Sequence, residues 1–249
     1  MLCRYDRARA AWIARSMTQE APMGREENDI WTVMSTARSI RRYTDEPVDD
    51  ATLARCLQAA TWAPNGANAQ MWRFVVLRSP EMRAAVGKAA AQALSVIEPV
   101  YGMTRPDLDD QSRRARTYRA TYEFHDRASE FTSVAFALFK MPSTSDLLVG
   151  GSIYPAVQNF LLAARAQGLG TCLTSWGSYG GEEILREAIG MPDDWFLAAH
   201  AVVGWPRGSH GSLRRHPASE KTFLDGWEKP ATVITDHLDT DPSDADTPE

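Results

Sequence analysis

The chain has 249 residues, of which 44% are hydrophobic and 24% charged, with a formal net charge of −5. That length suits one well-buried domain, the composition excludes bulk disorder, and the negative sign argues against a general nucleic-acid or polyanion binder. Cys3, Cys56 and Cys172 are odd in number and far apart, which gives neither a disulfide framework nor a metal-ligand spacing and predicts a reducing, cytoplasmic setting.

Residues 1–28 mix arginines, acids and small residues without periodicity, carry internal methionines at Met17 and Met23, and are expected to form a mobile arm. They lack the apolar core and cleavage site of a signal peptide. Apolar runs such as Phe196 to Val203 are too short for a bilayer, so no membrane partner is expected. Asn28 or Asp29 can cap a short helix through Ala37. Asp49 or Asp50 can cap a second, with Leu53, Leu57 and Ala60 on one face until Pro64 stops it. Arg73 to Leu77 reads as a short buried strand, and Ser79-Pro80 opens a helix toward Ile97. Pro99 to Thr132 is rich in Arg, Asp and Tyr with patchy helical periodicity, and reads as a surface excursion or lid with some helix. Val134 to Lys140 predicts a strand, and Ile153 to Ala166 a long buried helix closed by the glycines of Gly168 to Thr171. Cys172 to Thr174 and Phe196 to Val203 predict further strands. From Thr235 the acidic, proline-containing tail cannot offset its ordering entropy and is expected to be disordered. One folded domain over residues 29–234 follows, with helices and short strands interleaved as in a three-layer α/β or α+β architecture. No GxGxxG follows the first strand and no GxxxxGK[ST] occurs, so neither a Rossmann site nor a P-loop is supported.

Two segments carry candidate chemistry. Arg38, Ser39, Arg41 and Arg42 place three guanidiniums and a hydroxyl after the first helix. Arginine offers a planar fork of donors that matches phosphate oxygens, although a solvated helix end would use the same residues. Pro64, Asn65, Gly66, Asn68 and Gln70 pack amides into a tight loop before the first strand. Such amides can read a ring edge that carries both donors and acceptors. An Asn-Gly turn would account for Asn65 and Gly66 but not for Asn68 and Gln70. The five histidines have no carboxylate or cysteine at ligand spacing, so no metal is assigned, and Ser175 lacks a nucleophile-elbow context. Trp62, Trp72 and Trp205 read as core or interface residues, and Trp176 as a pocket wall.

In order and spacing, Arg38-Ser39-x-Arg41 and the run from Ala63 to Trp72 resemble the nitroreductase family of FMN-dependent oxidoreductases. So do the helix from Tyr154 to Ala164, Gly168-Leu169-Gly170-Thr171, and Gly204-Trp205-Pro206 followed by Arg214-Arg215. The resemblance covers roughly residues 30 to 227. It implies an α+β, three-layer fold with a central, mostly antiparallel sheet, interlocked as a homodimer with two FMN molecules in the interface. Arg38 and Ser39 would then face the phosphate and ribityl chain, and Arg41 the pyrimidine edge. Asn65, Asn68 and Gln70 would come from the other subunit, backbone amides at Thr174, Ser175 and Trp176 would meet the reactive edge, and Arg214 and Arg215 would complete the phosphate clamp. Ala37, Asn65 and Met71 depart from the basic residue, serine and proline of many relatives, which weakens the expected phosphate site and alters loop shape. The implied activity is ping-pong hydride transfer from NADPH or NADH through FMN to a small electron-poor acceptor such as a nitroaromatic or quinone. The alternatives are a specialised member that cleaves flavin or removes halogen, and a non-catalytic flavin-storage protein.

Overall fold

The computed structural model describes residues 29–139, 145–231 and 234, so the predicted N-terminal arm and acidic tail lie outside the described residues. By internal contacts the chain divides after Gly211, and the two units are described separately.

In the first unit, side-chain caps start the helices where short polar residues precede apolar periodicity. Asp29 accepts from the Thr32 amide at 2.7 Å and opens α1 (Ile30–Thr36). Asp49 accepts from the Thr52 amide at 2.9 Å and opens α2 (Asp50–Thr61). Strand β1 (Trp72–Leu77) follows, and Ser79 caps α3 (Pro80–Tyr101) with proline in its first turn. This helix passes the expected end at Ile97, includes Pro99, and stops at Gly102 in the left-handed conformation, φ 58°. The expected excursion contains α4 (Arg113–Asp126), capped by Ser112, and leads into β2 (Thr132–Phe139). Helix α5 (Asp146–Ala166) begins seven residues before the predicted Ile153, because Ser145 caps it and the helix accommodates Gly150, Gly151 and Pro155. Strand β3 (Gly170–Thr174), the unpredicted helix α6 (Glu182–Ile189) and β4 (Trp195–Gly204) complete the unit.

The four strands form one antiparallel sheet in the order β1-β2-β4-β3. Alternate residues of β2 and β4 face opposite sides, as the two-residue strand period requires. Val134, Phe136, Leu138, Ala201 and Val203 pack with Leu53, Cys56, Ile153, Val157 and Phe160 of α2 and α5. On the other side Ala135, Leu197 and Val202 pack with Val86, Ala90, Phe124 and Leu185 of α3, α4 and α6. The expected three layers are therefore present, helices on both faces of an antiparallel sheet.

By length and composition alone Leu147–Ala166 of α5 could cross a membrane, a test that core helices of soluble proteins also pass. Its interior glycines and Pro155 interrupt the apolar run in the sequence. One face of the helix lies in the core through Val149, Ile153, Ala156, Val157, Phe160 and Ala164.

In the second unit Phe223 bridges to Pro230 and stacks on Trp227, whose ring centroid lies 6.4 Å away. Arg214 and Arg215 are exposed there, and Arg215 donates to the Arg214 carbonyl at 3.0 Å.

Candidate functional site

Residues 38–44 form a strap across the end of the sheet. Ser39 bridges to Thr171 and Tyr43 to Pro206. The Ile40 amide donates to the Thr171 carbonyl at 2.8 Å, the Thr44 amide to Trp205 at 2.9 Å, and the Arg207 amide to the Arg42 carbonyl at 2.9 Å. Ile40 and Tyr43 point inward and are buried. Their approach requires two glycines that pair across β3 and β4. A Cβ on Gly170 would come within 2.8 Å of the Ile40 side chain, and one on Gly204 within 3.0 Å of Tyr43.

The strap sends its basic side chains to different stations. Arg38 lines a cavity of about 540 Å³ together with Thr36, Arg165, Thr171, Ser209 and His210. That volume is typical of a small-molecule site. Arg165 is steadied by the Thr36 hydroxyl at 2.9 Å, and burial together with the Arg38 charge pushes the His210 pKa down. Arg41 is exposed, and its charge works against the burial that pushes up the Cys172 thiol and the Tyr43 hydroxyl. Ser39 also meets Cys172, whose thiol is pushed up by burial and drawn down by Arg41 and the Ser39 hydrogen bond. Arg42 leaves this group. Its Nε donates to Glu123 of α4 at 2.9 Å.

The loop between α2 and β1 has an unusual backbone. Ala67, Asn68 and Gln70 have φ of 52°, 53° and 50°, the left-handed region that side chains disfavour. Asn65 is used within the turn, where its Oδ1 accepts from the Gln70 amide at 2.9 Å and its Nδ2 donates to Ala63. An Asn-Gly turn is not formed, because Asn65 is extended at φ −152° and a 3-10 turn follows over Gly66–Asn68. Pro64, Asn68 and Gln70 are exposed, with Gln70 Nε2 donating to Asn68 Oδ1 at 3.2 Å. The Gly66 amide donates to Ser152 of α5 at 3.3 Å, which ties this loop to α5.

At the end of β3, Thr174 is half-buried, Ser175 exposed and Trp176 only 2% exposed. The expectation that Trp176 forms a pocket wall is corrected, because its indole lies in the core against Phe124, His125 and His200. Its backbone remains beside the exposed Ser175. In the first unit Arg38 and Ser39 thus lie at the start of β3, with Arg41 farther along the strap, and Thr174 and Ser175 at the strand's other end, while Arg42 pairs with α4. Arg165 and His210 were missed by sequence reasoning. Arg165 meets Thr36 across 129 residues of chain, and no local pattern signals such a contact.

The sequence profile of the Nitroreductase family matches residues 34–205. A 5,6-dimethylbenzimidazole synthase of Rhodospirillum rubrum is 31% identical over 79% of this chain and 89% of its own length. An NADH dehydrogenase of Thermus thermophilus is 29% identical over 72% of this chain and 87% of its own. In fold, the chain resembles the crystal structure of an FMN and NADPH-dependent nitroreductase from a Sphigopyxis strain, with a TM-score of 0.58 and 23% identity over 80% of this chain and all of that one. A match that spans most of the described fold, with the strap and glycine pair where the family motifs fall, leads to one conclusion: the chain belongs to the nitroreductase family.

Proposed function

We propose that the protein is an FMN-dependent oxidoreductase that takes hydride from NADH or NADPH and delivers it to a small electron-poor acceptor. The observation that carries this reading is the division of charge along the strap. Arg38 stands with Arg165 and His210 in one cavity, which Glu46 also lines, and Arg41 lies farther along the strap that bridges to β3, so the donor set suits a ligand with an anionic tail and a polar ring edge. FMN has that form, and the residues present fit it. Arg38, Arg165 and His210 would hold the phosphate, Ser39 the ribityl chain, and Arg41 the pyrimidine edge. Thr174, Ser175 and Trp176 would present backbone amides to the reactive edge.

When bound, FMN supplies the two-electron carrier between nicotinamide and acceptor. The protein supplies position and field. Arg41 would stabilise negative charge on the pyrimidine side, the backbone amides of Thr174, Ser175 and Trp176 would orient the reactive edge, and Arg38 would anchor the phosphate. No side-chain acid or base is required for hydride movement, so no residue of the chain is given that role.

The functional unit in this reading is a homodimer. Support comes from exposed apolar side chains on α1 and just after α2, beside the later turns of α5, where Trp31 is 67% exposed and Trp62 73%, and Ile30, Trp62 and Leu162 line one hollow. Asn68 and Gln70 sit on the loop tied to α5 and would reach the partner's cofactor. A second reading has specific support in the relative named 5,6-dimethylbenzimidazole synthase, under which the chain would perform that specialised reaction. Steady-state oxidation of NADH and NADPH with menadione or a nitrofuran separates these readings. Turnover with either acceptor supports the proposal. FMN binding without turnover indicates storage, and conversion of FMN to 5,6-dimethylbenzimidazole under air with NADH or NADPH as the reductant indicates the specialised reaction.

A further inference from the structure

Two histidines that the proposed chemistry leaves unused meet the segment Thr174–Trp176 from its inner side. His200 lies in β4, is 3% exposed, and is bonded at both ring nitrogens. Its Nδ1 lies 3.0 Å from Thr174 Oγ1 and its Nε2 2.9 Å from Ser133 Oγ. The Thr174 hydroxyl also reaches the His200 carbonyl at 3.1 Å, so it can donate to that carbonyl or to Nδ1, and the neutral ring bonds both hydroxyls with its one proton on either nitrogen. The partners of His125, at the end of α4, fix its proton. The Thr121 carbonyl at 2.8 Å can only accept and the Trp176 indole N–H at 3.0 Å can only donate, so His125 is also neutral with its proton on Nδ1. The Trp176 ring lies between the two, with centroids 5.6 Å from His125 and 5.3 Å from His200.

We propose that His125 and His200 are positioning residues for the cofactor edge, fixing the backbone of Thr174–Trp176 by holding the Trp176 indole and the Thr174 hydroxyl from inside the core. The proposal rests on the FMN reading above. Pairing of β3 with β4 ends at Thr174 and His200, so past that point the sheet ladder no longer holds the chain. Inward-facing side chains take over, and the Trp176 carbonyl accepts from the amides of Tyr179 and Gly181 on the far side. Amides that must meet a ring atom at hydrogen-bond distance need such an anchor, because a loose loop would cost alignment at the reacting edge. Packing alone would require only an aromatic ring at position 176. It gives no reason for an indole N–H aimed at an unprotonated histidine nitrogen, or for a β4 histidine whose two nitrogens and carbonyl are all matched by hydroxyls. Burial supports the neutral state of both rings.

The test compares His125→Phe and Thr174→Val with the conservative His125→Gln and Thr174→Ser. Trp176→Phe is included because it keeps an aromatic ring and removes the indole N–H if the histidine variants do not fold. In FMN-free protein, hydrogen exchange of the Tyr179 and Gly181 amides, which donate to the Trp176 carbonyl, should quicken about tenfold in the first pair and in Trp176→Phe, the size expected for one lost buried hydrogen bond. In FMN-loaded protein, the ratio of affinities for reduced and oxidised flavin should change about tenfold, which is roughly 30 mV in midpoint potential. FMN affinity itself should change less, since the phosphate is held elsewhere, and Gln and Ser should restore both readouts. Unchanged exchange, or an unchanged potential in folded FMN-loaded variants, would overturn the positioning role alone. A wild-type protein that takes up no FMN would instead overturn the functional reading, and the positioning role with it.

Discussion

Arg38 and Arg41 share one strap yet act on different neighbours, the first lining the cavity with Arg165 and His210 and the second drawing down the Cys172 thiol that burial pushes up. That separation yields a prediction at single-residue scale. Arg41→Gln keeps a donor and removes the charge, so reduced FMN should lose more stabilisation than oxidised FMN, and the midpoint potential should fall by tens of millivolts, where roughly 30 mV corresponds to about 1.4 kcal/mol. Arg38→Gln should weaken FMN binding and leave the potential of bound flavin nearly unchanged. Equal potentials for the wild type and Arg41→Gln, with flavin fully bound, would remove Arg41 from the ring edge. His200 gives a second prediction. Burial pushes its pKa down to about 4, so the folded chain keeps it neutral while the unfolded chain takes up a proton below about 6.5. The unfolded state then binds more protons between those values, and stability is lost as pH falls through that window, by about 3 kcal/mol from this group. Urea unfolding from pH 7 to 4.5 should show that loss, and His200→Gln should show a smaller one; equal slopes for the two proteins would contradict it.

At the scale of elements, the strap explains why β3 and β4 meet through paired glycines. Gly170→Ala would drive a Cβ into Ile40, which branches at Cβ and cannot swing aside cheaply, so the strap should shift and carry Ser39 and Arg41 with it. FMN affinity should drop by more than thermal stability alone implies, and titration of the folded variant with FMN measures it. Wild-type affinity would show that the strap tolerates the methyl. The elements were unevenly legible. Asp29, Asp49 and Ser79 announced three helices because a capping side chain and apolar periodicity agree there. Residues 99–132 hid α4 because only Ala115, Tyr122, Phe124 and His125 are buried along it, too few for a clear stripe. Helix α6 spans eight residues between Gly181 and Gly190 with Leu185 buried, a short amphipathic signal that sequence reading passed over. The left-handed backbone at Ala67, Asn68 and Gln70 was not legible, because none of the three is a glycine.

For the whole molecule, the sequence carried family, layers and the strap motif, since these lie in residue order and spacing. It did not carry the inward turn of Trp176 or the convergence of Arg165 and His210 on Arg38, which depend on contacts between distant segments. The same limit applies to assembly. If each cofactor draws Arg38 from one chain and Asn68 from the other, then inactive Arg38→Ala and Asn68→Ala proteins, unfolded and refolded together, should form mixed dimers that regain one intact site of two. No recovery, with both variants still dimeric and each flavin-free, would place every site within a single chain.

The central claim is that the strap and the end of β3 are built for FMN, and the most direct measurement is the visible spectrum of the purified protein with identification of the flavin released on denaturation. The account predicts a yellow protein that releases FMN. A colourless protein that also fails to take up added FMN would contradict it.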